Sequence, residues 1–397
     1  MRETTESLKQ RVIEEVERLR DELIRVSDDI HAHPETAFEE HYAADLLTRV
    51  AQQHGMSIQK GIADLPTAFR AERRGAGPGI TVAFLAEYDA LPGLGHACGH
   101  NIIGAAALGA ALAVAHVIDE LPGRVVLLGT PAEEKGGGKM LLVDRGAFTD
   151  IDAALMIHPS VRNMTRRKSL SSHNLFFEFF GRPAHAAAAP DDGINALNGV
   201  ILLFNNINAL RGHVPDGVRI HGIIPDGGQA HNIVPDYATA QFSVRAPNKS
   251  IASGLVAKVI ACAEAAALAT GTLLSYRELY HYDNMIPNPV LAESFEANLR
   301  RLGREVQEPE PNERMGSTDM GNVSHVVPSL HPYIAIADEG TAGHTEAFRD
   351  AAASERGHAG LIDGAKAMAM TAIDLFTDPE LVARMRQTFQ ETVAAQG

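Results

Sequence analysis

Residues 80–101 read Ile-Thr-Val-Ala-Phe-Leu-Ala-Glu-Tyr-Asp-Ala-Leu-Pro-Gly-Leu-Gly-His-Ala-Cys-Gly-His-Asn. The run Ile80–Leu85 has the continuous hydrophobicity of a strand covered on both faces. It ends in Glu87-Tyr88-Asp89, and a few residues later the chain offers one thiol, Cys98, flanked by two imidazoles, His96 and His100. Thiolate and imidazole are preferred ligands of zinc and similar transition ions. Acid and soft ligands therefore meet at one strand end, which predicts a buried sheet with a metal site at its edge.

Two further segments repeat the plan. Arg124–Leu128 carries the run Val-Val-Leu-Leu and is followed by Thr130-Pro-Ala-Glu-Glu134. Ala153–Ile157 is apolar and is followed by His158-Pro159. Strands of this kind, separated by helical stretches, predict an α/β fold in which ligands bind beyond the carboxyl ends of the strands. A bare pair such as Glu133-Glu134 is most simply a solvated loop. Its placement at the same edge as His100 and His158 reverses that preference. One carboxylate can then bind a metal while its neighbour takes a proton from an activated water. Cys98, as a lone cysteine, would ordinarily be a small buried hydrophobe, and its flanking histidines weaken that reading. His96 ranks below His100 as a ligand. Asp89 is either a turn residue or a carboxylate that orients a ligand histidine. His344, which follows the apolar run Tyr333–Ala337, is a candidate by spacing. The segment His31-Ala-His-Pro-Glu35 reads as a helix-ending loop and is not expected to hold metal.

From about residue 171 the pattern changes. Strands are expected at Ser171–Phe180, Val218–Ile224, Tyr237–Val244 and Thr272–Leu279, with helices at Ile194–Leu210 and Ile251–Ala269. That order, βαββαβ, is that of a ferredoxin-like split unit. After about residue 285 the αβ character returns. The expected organisation is a metal-binding α/β domain, residues 1–170 and 285–397, with a mixed central sheet and flanking helices. Into it is inserted a small α+β domain, residues 171–284. Two chain crossings near 171 and 285 would permit a hinge. Phe176, Phe177, Phe179 and Phe180 are expected in the inserted domain's core and dimer sheet.

Composition narrows the function classes. A chain of 397 residues with 45% hydrophobic and 21% charged residues suits two globular domains. A net charge of −15 without a basic run argues against nucleic acid and anionic membrane surfaces. Two cysteines, distant in sequence, fit a reducing, cytoplasmic setting better than a disulfide framework. The N-terminus reads as a charged helix, with Leu8, Val12, Val16, Leu19 and Leu23 at helical spacing. The alanine-rich run 104–118 looks too short and mild for a membrane span.

An ordered set of motifs then carries a resemblance. The pieces are His31-Ala-His-Pro-Glu35, Glu87-Tyr-Asp-Ala-Leu-Pro-Gly93, Gly95-His-Ala-Cys-Gly-His-Asn101, Thr130-Pro-Ala-Glu-Glu134 and His158-Pro159. They continue through Gly181-Arg-Pro-Ala-His185, Gly227-Gly-Gln-Ala-His-Asn-Ile-Val-Pro235 and Ser317-Thr-Asp319. Spread in order over nearly the whole chain, they resemble the co-catalytic metallopeptidase family of aminoacylase, bacterial carboxypeptidase G and succinyl-diaminopimelate desuccinylase. Within it the chain is similar to the amidohydrolase branch, that of aminobenzoyl-glutamate hydrolase and the plant auxin-conjugate hydrolases. The resemblance implies a zinc-peptidase-like catalytic domain with an inserted dimerisation or lid domain, and two divalent metal ions per subunit, zinc or manganese. It implies Cys98, His100, Glu134, His158 and His344 as ligands, Glu133 as general base and Asp89 as the carboxylate behind a ligand. It implies His185 as an oxyanion-stabilising residue that reaches the partner subunit of a homodimer, and Asn232 and Arg245 as substrate-binding residues. Other branches carry a metal-binding histidine at the position of Glu87, so their ligand set does not transfer unchanged.

The expected activity is metal-dependent hydrolysis of an amide C–N bond in a small N-acyl or aminoacyl amino acid or dipeptide-like substrate. Three rivals remain at this point: displacement of an amino group from an aromatic ring at the same metal site, a non-catalytic metal-binding protein, and a Cys-His nucleophilic hydrolase using Cys98.

Overall fold

The strand expected at Ile80–Leu85 runs Thr81–Ala86, and all its residues are buried. Alternate residues serve two cores. Val82, Phe84 and Ala86 pack with the helix His100–Val117 on one face. Ala83 and Leu85 pack with Leu142, Met320 and Val323 on the other. Coverage of both faces is why the strand shows no apolar–polar alternation. The computed structural model describes residues 4–310, 313 and 315–396. The chain divides into two compact units.

In the first unit, Thr81–Ala86 pairs in parallel with Arg124–Gly129 and with Ala153–Leu155, and Ser329–Leu330 adds in parallel beyond the latter. On the opposite side Phe69–Arg74 and Ser57–Lys60 pair antiparallel, completing a mixed six-stranded sheet. A short parallel ladder, His158–Ser160 with Tyr333–Ala335, continues two strands past the sheet's carboxyl edge. The expected N-terminal helix is broken at Leu19 into Thr5–Arg18 and Arg20–Ala32. Leu8, Val12, Val16, Leu19 and Leu23 are all buried.

In the helix His100–Val117 every residue but His116 is buried. By length and apolarity the segment His100–Glu120 would suffice to cross a membrane, contrary to the mild reading of run 104–118. However, 94% of its apolar window lies inside the fold, as expected of a core helix that is hydrophobic all round. The helix Lys249–Thr270 meets the same length and composition criterion, with 33% of its window buried.

The second unit comprises Ser169–Asn284 with Gly316–Thr318 and Gln396. Its elements follow the βαββαβ order read from the sequence: Ser171–Phe180, Ala196–Leu210, Arg219–Asp226, Tyr237–Ala246, Lys249–Thr270 and Leu273–Tyr282. The sheet is antiparallel throughout, with Leu273–Tyr282 at one edge, then Ser171–Phe180, Tyr237–Ala246 and Arg219–Asp226. Leu175, Phe177 and Phe179 form its core with Val200, Leu203, Leu255 and Val259 of the two helices. Phe176 lies under the Arg277 guanidinium at 4.4 Å, and Phe180 is exposed.

Helix His100–Val117 carries His100 and anchors the larger core, so its packing sets the stability of the first unit. Leu108→Ala, at a fully buried position, should destabilise the protein by about 2–5 kcal/mol, read as a lower urea midpoint with an unchanged slope.

Candidate metal centre

Four parallel strands deliver polar side chains at one edge. Thr81–Ala86 leads to Glu87 and Asp89, Arg124–Gly129 to Glu133 and Glu134, Ala153–Leu155 to His158, and Ser329–Leu330 to His331. The loop before helix His100–Val117 brings in the thiol. Gly99 has φ +80°, and a Cβ there would stand 2.8 Å from Pro159 Cγ. Glycine is required for that approach, and it places Cys98 Sγ 3.5 Å from His158 Nε2.

Ligand atoms of Cys98, His100 and His158 lie within 4.8 Å of one another, as do those of Cys98, Glu134 and His344, and those of His100, Glu133 and Glu134. The residues expected as ligands therefore converge with Glu133. His344 arrives from far along the chain, held at φ 59° with its N–H donating to Ala97 O at 3.1 Å. His96 belongs to none of these groups; it is buried beside His31, ring centroids 6.1 Å apart.

The hydrogen bonding left open at the centre fits a divalent cation. His100 is fully buried, with Nδ1 2.9 Å from Asp89 Oδ1. Among the described residues, its Nε2 and Glu87 Oε2 are buried without hydrogen-bond partners, and buried Glu134 Oε1 has only the His344 ring nitrogen near it, at 3.4 Å. His100 Nε2 stands 3.4 Å from Glu87 Oε2 and 3.8 Å from Glu134 Oε1, so three buried polar atoms crowd one space. A carboxylate on the far ring nitrogen is the usual support of a ligand histidine. Asp89 also accepts the Glu134 N–H at 2.9 Å, tying the two strand ends together.

The electrostatics follow from crowded acids in a dry space. Burial, with Glu87, Asp319 and Glu134 adding, holds the Glu133 carboxyl well above its usual range. Burial opposes the charge on His100, but Asp89 and Glu87 raise its pKa well above the ordinary value. Burial lowers His158 to about 4, leaving a neutral imidazole. Burial, with Glu134 and Glu133 adding, pushes the Cys98 thiol up, so the protein alone does not favour a thiolate; a bound cation would.

Several residues of the centre escape sequence reasoning. Lys139 is fully buried, its Nζ 2.5 Å from Glu87 Oε1 and 2.7 Å from Asp319 Oδ1. Its helix, Gly138–Asp144, is too short to stand out by periodicity. His331 and Tyr333 pack against the His158 ring at 5.3 and 5.4 Å, and the Arg167 guanidinium lies 4.7 Å over Tyr333. His331 had a readable signal, since it follows an apolar strand as His158 does.

The other site candidates lie in the second unit. His185 is exposed and bridges to Ile233, which brings the motif ending in His185 against the one containing Asn232. Its Nδ1 accepts from the Ala187 and Ala188 N–H groups at 3.3 and 3.1 Å. Asn232 is exposed and its carbonyl accepts from Ala186 N–H at 3.0 Å. Arg245 is half-buried, opposite Ser172 and Arg219 in the sheet.

Comparison with known proteins gives a consistent family. The profile described as Peptidase family M20/M25/M40 matches residues 83–362. The Xaa-Arg dipeptidase of Mus musculus is 40% identical over 400 residues, covering 97% of this chain and 93% of the relative. A p-aminobenzoyl-glutamate hydrolase component of Escherichia coli (strain K12) is 29% identical, covering 94% of this chain and 92% of the relative. Two crystal structures share the fold. An aminobenzoyl-glutamate utilization protein from Klebsiella pneumoniae has a TM-score of 0.72 at 18% identity, covering 91% of this chain and 97% of that one. A dinuclear metal binding peptidase of the M20 family from Bacillus subtilis has a TM-score of 0.65 at 19% identity, covering 91% and 99%.

Glu40 is a further unforeseen part of this region. Fully buried, it accepts Ala132 N–H at 2.9 Å and Thr67 Oγ1–H at 3.0 Å. Ala132 has φ 62°, unusual for a residue with a Cβ, and it immediately precedes Glu133. Burial, and then Asp89, raise Glu40 to about 7 from an ordinary 4.5. Between those values the folded state binds a proton that the unfolded chain does not, so stability falls as pH rises through the window and levels off above it. The contribution is roughly 3 kcal/mol at most. Urea unfolding from pH 4 to 8 should show this fall in the wild type and a flatter profile in Glu40→Gln; a parallel profile would refute it.

Proposed function

The chain belongs to the peptidase family M20/M25/M40, and on that premise we propose that it cleaves the amide bond of a dipeptide-like or N-acyl amino acid substrate by activating water at a two-metal centre. Membership makes it a hydrolase of carbon–nitrogen bonds, and neither ring deamination nor a purely metal-binding role is favoured. The observation that carries the reading is the placement of the Glu133–Glu134 pair beside the donors of Cys98, His100, His158 and His344, all within ligand distance in overlapping groups.

In this reading Cys98, His100 and His158 would hold one ion, and Glu134 and His344 would contribute to the other. When bound, these ions would supply Lewis acidity toward the scissile carbonyl and toward water. The thiol favours zinc, while the imidazole and carboxylate donors also accept manganese. Glu133, raised above the usual carboxylate range, takes the proton of the attacking water as the O–C bond forms. It returns that proton to the amine nitrogen as the C–N bond breaks. Asp89 fixes the His100 ring so that Nε2 faces the centre. Lys139 offsets the charge of Glu87 and Asp319. Arg245 and Asn232 bind the substrate carboxylate, for which a guanidinium offers two parallel hydrogen bonds. His185 stabilises the oxyanion from a partner chain.

The reading includes a homodimer formed through the second unit. Support comes from the exposed apolar side chains concentrated there, among them Ile201, Ile223, Ile233, Leu268 and Leu273. A reducing, cytoplasmic setting is in keeping with two free cysteines.

Dipeptides are the first substrates to test, followed by N-acyl amino acids and aminobenzoyl-glutamate. Chelator-stripped protein should lose turnover and regain it with zinc or manganese; full activity after stripping would sink the mechanism. Glu133→Gln should keep its metal content and lose at least ~10²-fold in kcat.

A further inference from the structure

A second cluster of ligand-type side chains lies wholly within the other unit. His173, on the strand Ser171–Phe180, stands opposite His281 on the edge strand Leu273–Tyr282. Their rings are stacked, centroids 5.2 Å apart and planes 12° from parallel. Glu278 precedes His281 by three positions, and in a regular strand residues at that spacing face opposite sides. Here the register shifts between Glu278 and Tyr280. The extra residue turns Glu278 onto the histidine side, as bulges do when they re-aim a side chain. Its Oε1 lies 2.5 Å from His173 Nδ1 and its Oε2 3.6 Å from His281 Nδ1.

We propose that His173, Glu278 and His281 bind one divalent transition ion of the zinc class, which fastens the edge strand to its neighbour where the bulge interrupts the ladder. A ligand atom from each residue lies within 4.8 Å of the other two. Two imidazoles and a carboxylate are a borderline-soft set suited to zinc, whereas calcium and magnesium require more oxygen donors. Tetrahedral bonds of about 2.0–2.2 Å place ligand atoms roughly 3.4 Å apart. The contact to His281 is near that value, and the shorter one to His173 opens by about 1 Å through rotation of the exposed Glu278 side chain. His173 is 8% exposed, in phase with Leu175 and Phe177 of the core, and its Nε2 has no hydrogen-bond partner among the described residues. A ring so placed has little freedom to lose on binding. The nearby charges, Lys249 and Asp283, are paired with each other at 2.6 Å and act on His281 with opposite sign.

The site shares no residue with the centre of the first unit, so its test does not depend on peptide hydrolysis. Metal-depleted protein is titrated with zinc alone and the equivalents bound are counted by calorimetry and elemental mass spectrometry. The wild type should bind one equivalent more than either Glu278→Gln or His281→Asn, and zinc should raise its melting temperature by roughly 5 °C more than theirs. Cobalt(II) should give one fewer set of d–d bands in each variant. Glu278→Gln preserves shape at an exposed position, so it keeps the test open if His281→Asn fails to fold. Equal equivalents and an equal thermal response in wild type and Glu278→Gln would overturn the proposal and leave a hydrogen-bonded His–Glu–His triad.

Discussion

Negative charge gathered where water is scarce is the constraint on which the first unit depends. Glu87, Asp89 and Asp319 are almost fully buried, and Glu133 and Glu134 stand beside them. An unpaired carboxylate in such a place costs several kcal/mol. One cation belonging to the chain and one imidazole ring meet part of that cost. Lys139 spans Glu87 and Asp319, and His100 lies against Asp89 with Glu87 nearby. The donors still unmatched among the described residues, Glu87 Oε2 and His100 Nε2, point at one another's neighbourhood and that of Glu134 Oε1. An arrangement of this kind is unfavourable without a cation and well suited to one, which makes the crowding a property of function and not of stability.

The fold converts that constraint into geometry. Parallel strands align their carboxyl ends, so residues far apart in sequence emerge at one edge. The core helix that follows Cys98 is buried on nearly every side and has no freedom to shift its first turn, where His100 sits. Gly99 against Pro159 fixes how close the two sides of the centre approach. Glu40, reaching from before the helix His41–Gln53, holds Ala132 in a left-handed conformation next to Glu133. Each of these contacts lies outside the ligand set, yet together they set where its atoms stand.

Much of this was legible in the chain. Apolar runs ending in acids and histidines gave the sheet, its polarity and the edge at which the site forms, because burial on both faces leaves no other residue type in a central strand. The βαββαβ order of the second unit was legible from alternation and helical spacing, to within a few residues at each boundary. Less visible were Lys139, Glu40 and the partnership of His331 and Tyr333 with His158. A buried lysine on a short helix has the composition of a surface lysine, and a glutamate before a helix looks like any loop acid. Nothing local records that their partners lie 52 and 92 residues away. The bulge that unites Glu278 with His281 was hidden for a related reason, since regular alternation places them on opposite faces.

Residue types and their order by themselves determined the α/β class, the strand ends that carry the chemistry, and the kinship of the ordered motifs with a metallopeptidase family. These follow from local rules, as hydrophobic periodicity and ligand chemistry are written in short windows. Only the tertiary structure decided which donors share one space, which are left without partners, and which buried cation offsets the acids around it. Those properties arise from distances between segments and from the exclusion of water, and neither exists until the chain has folded.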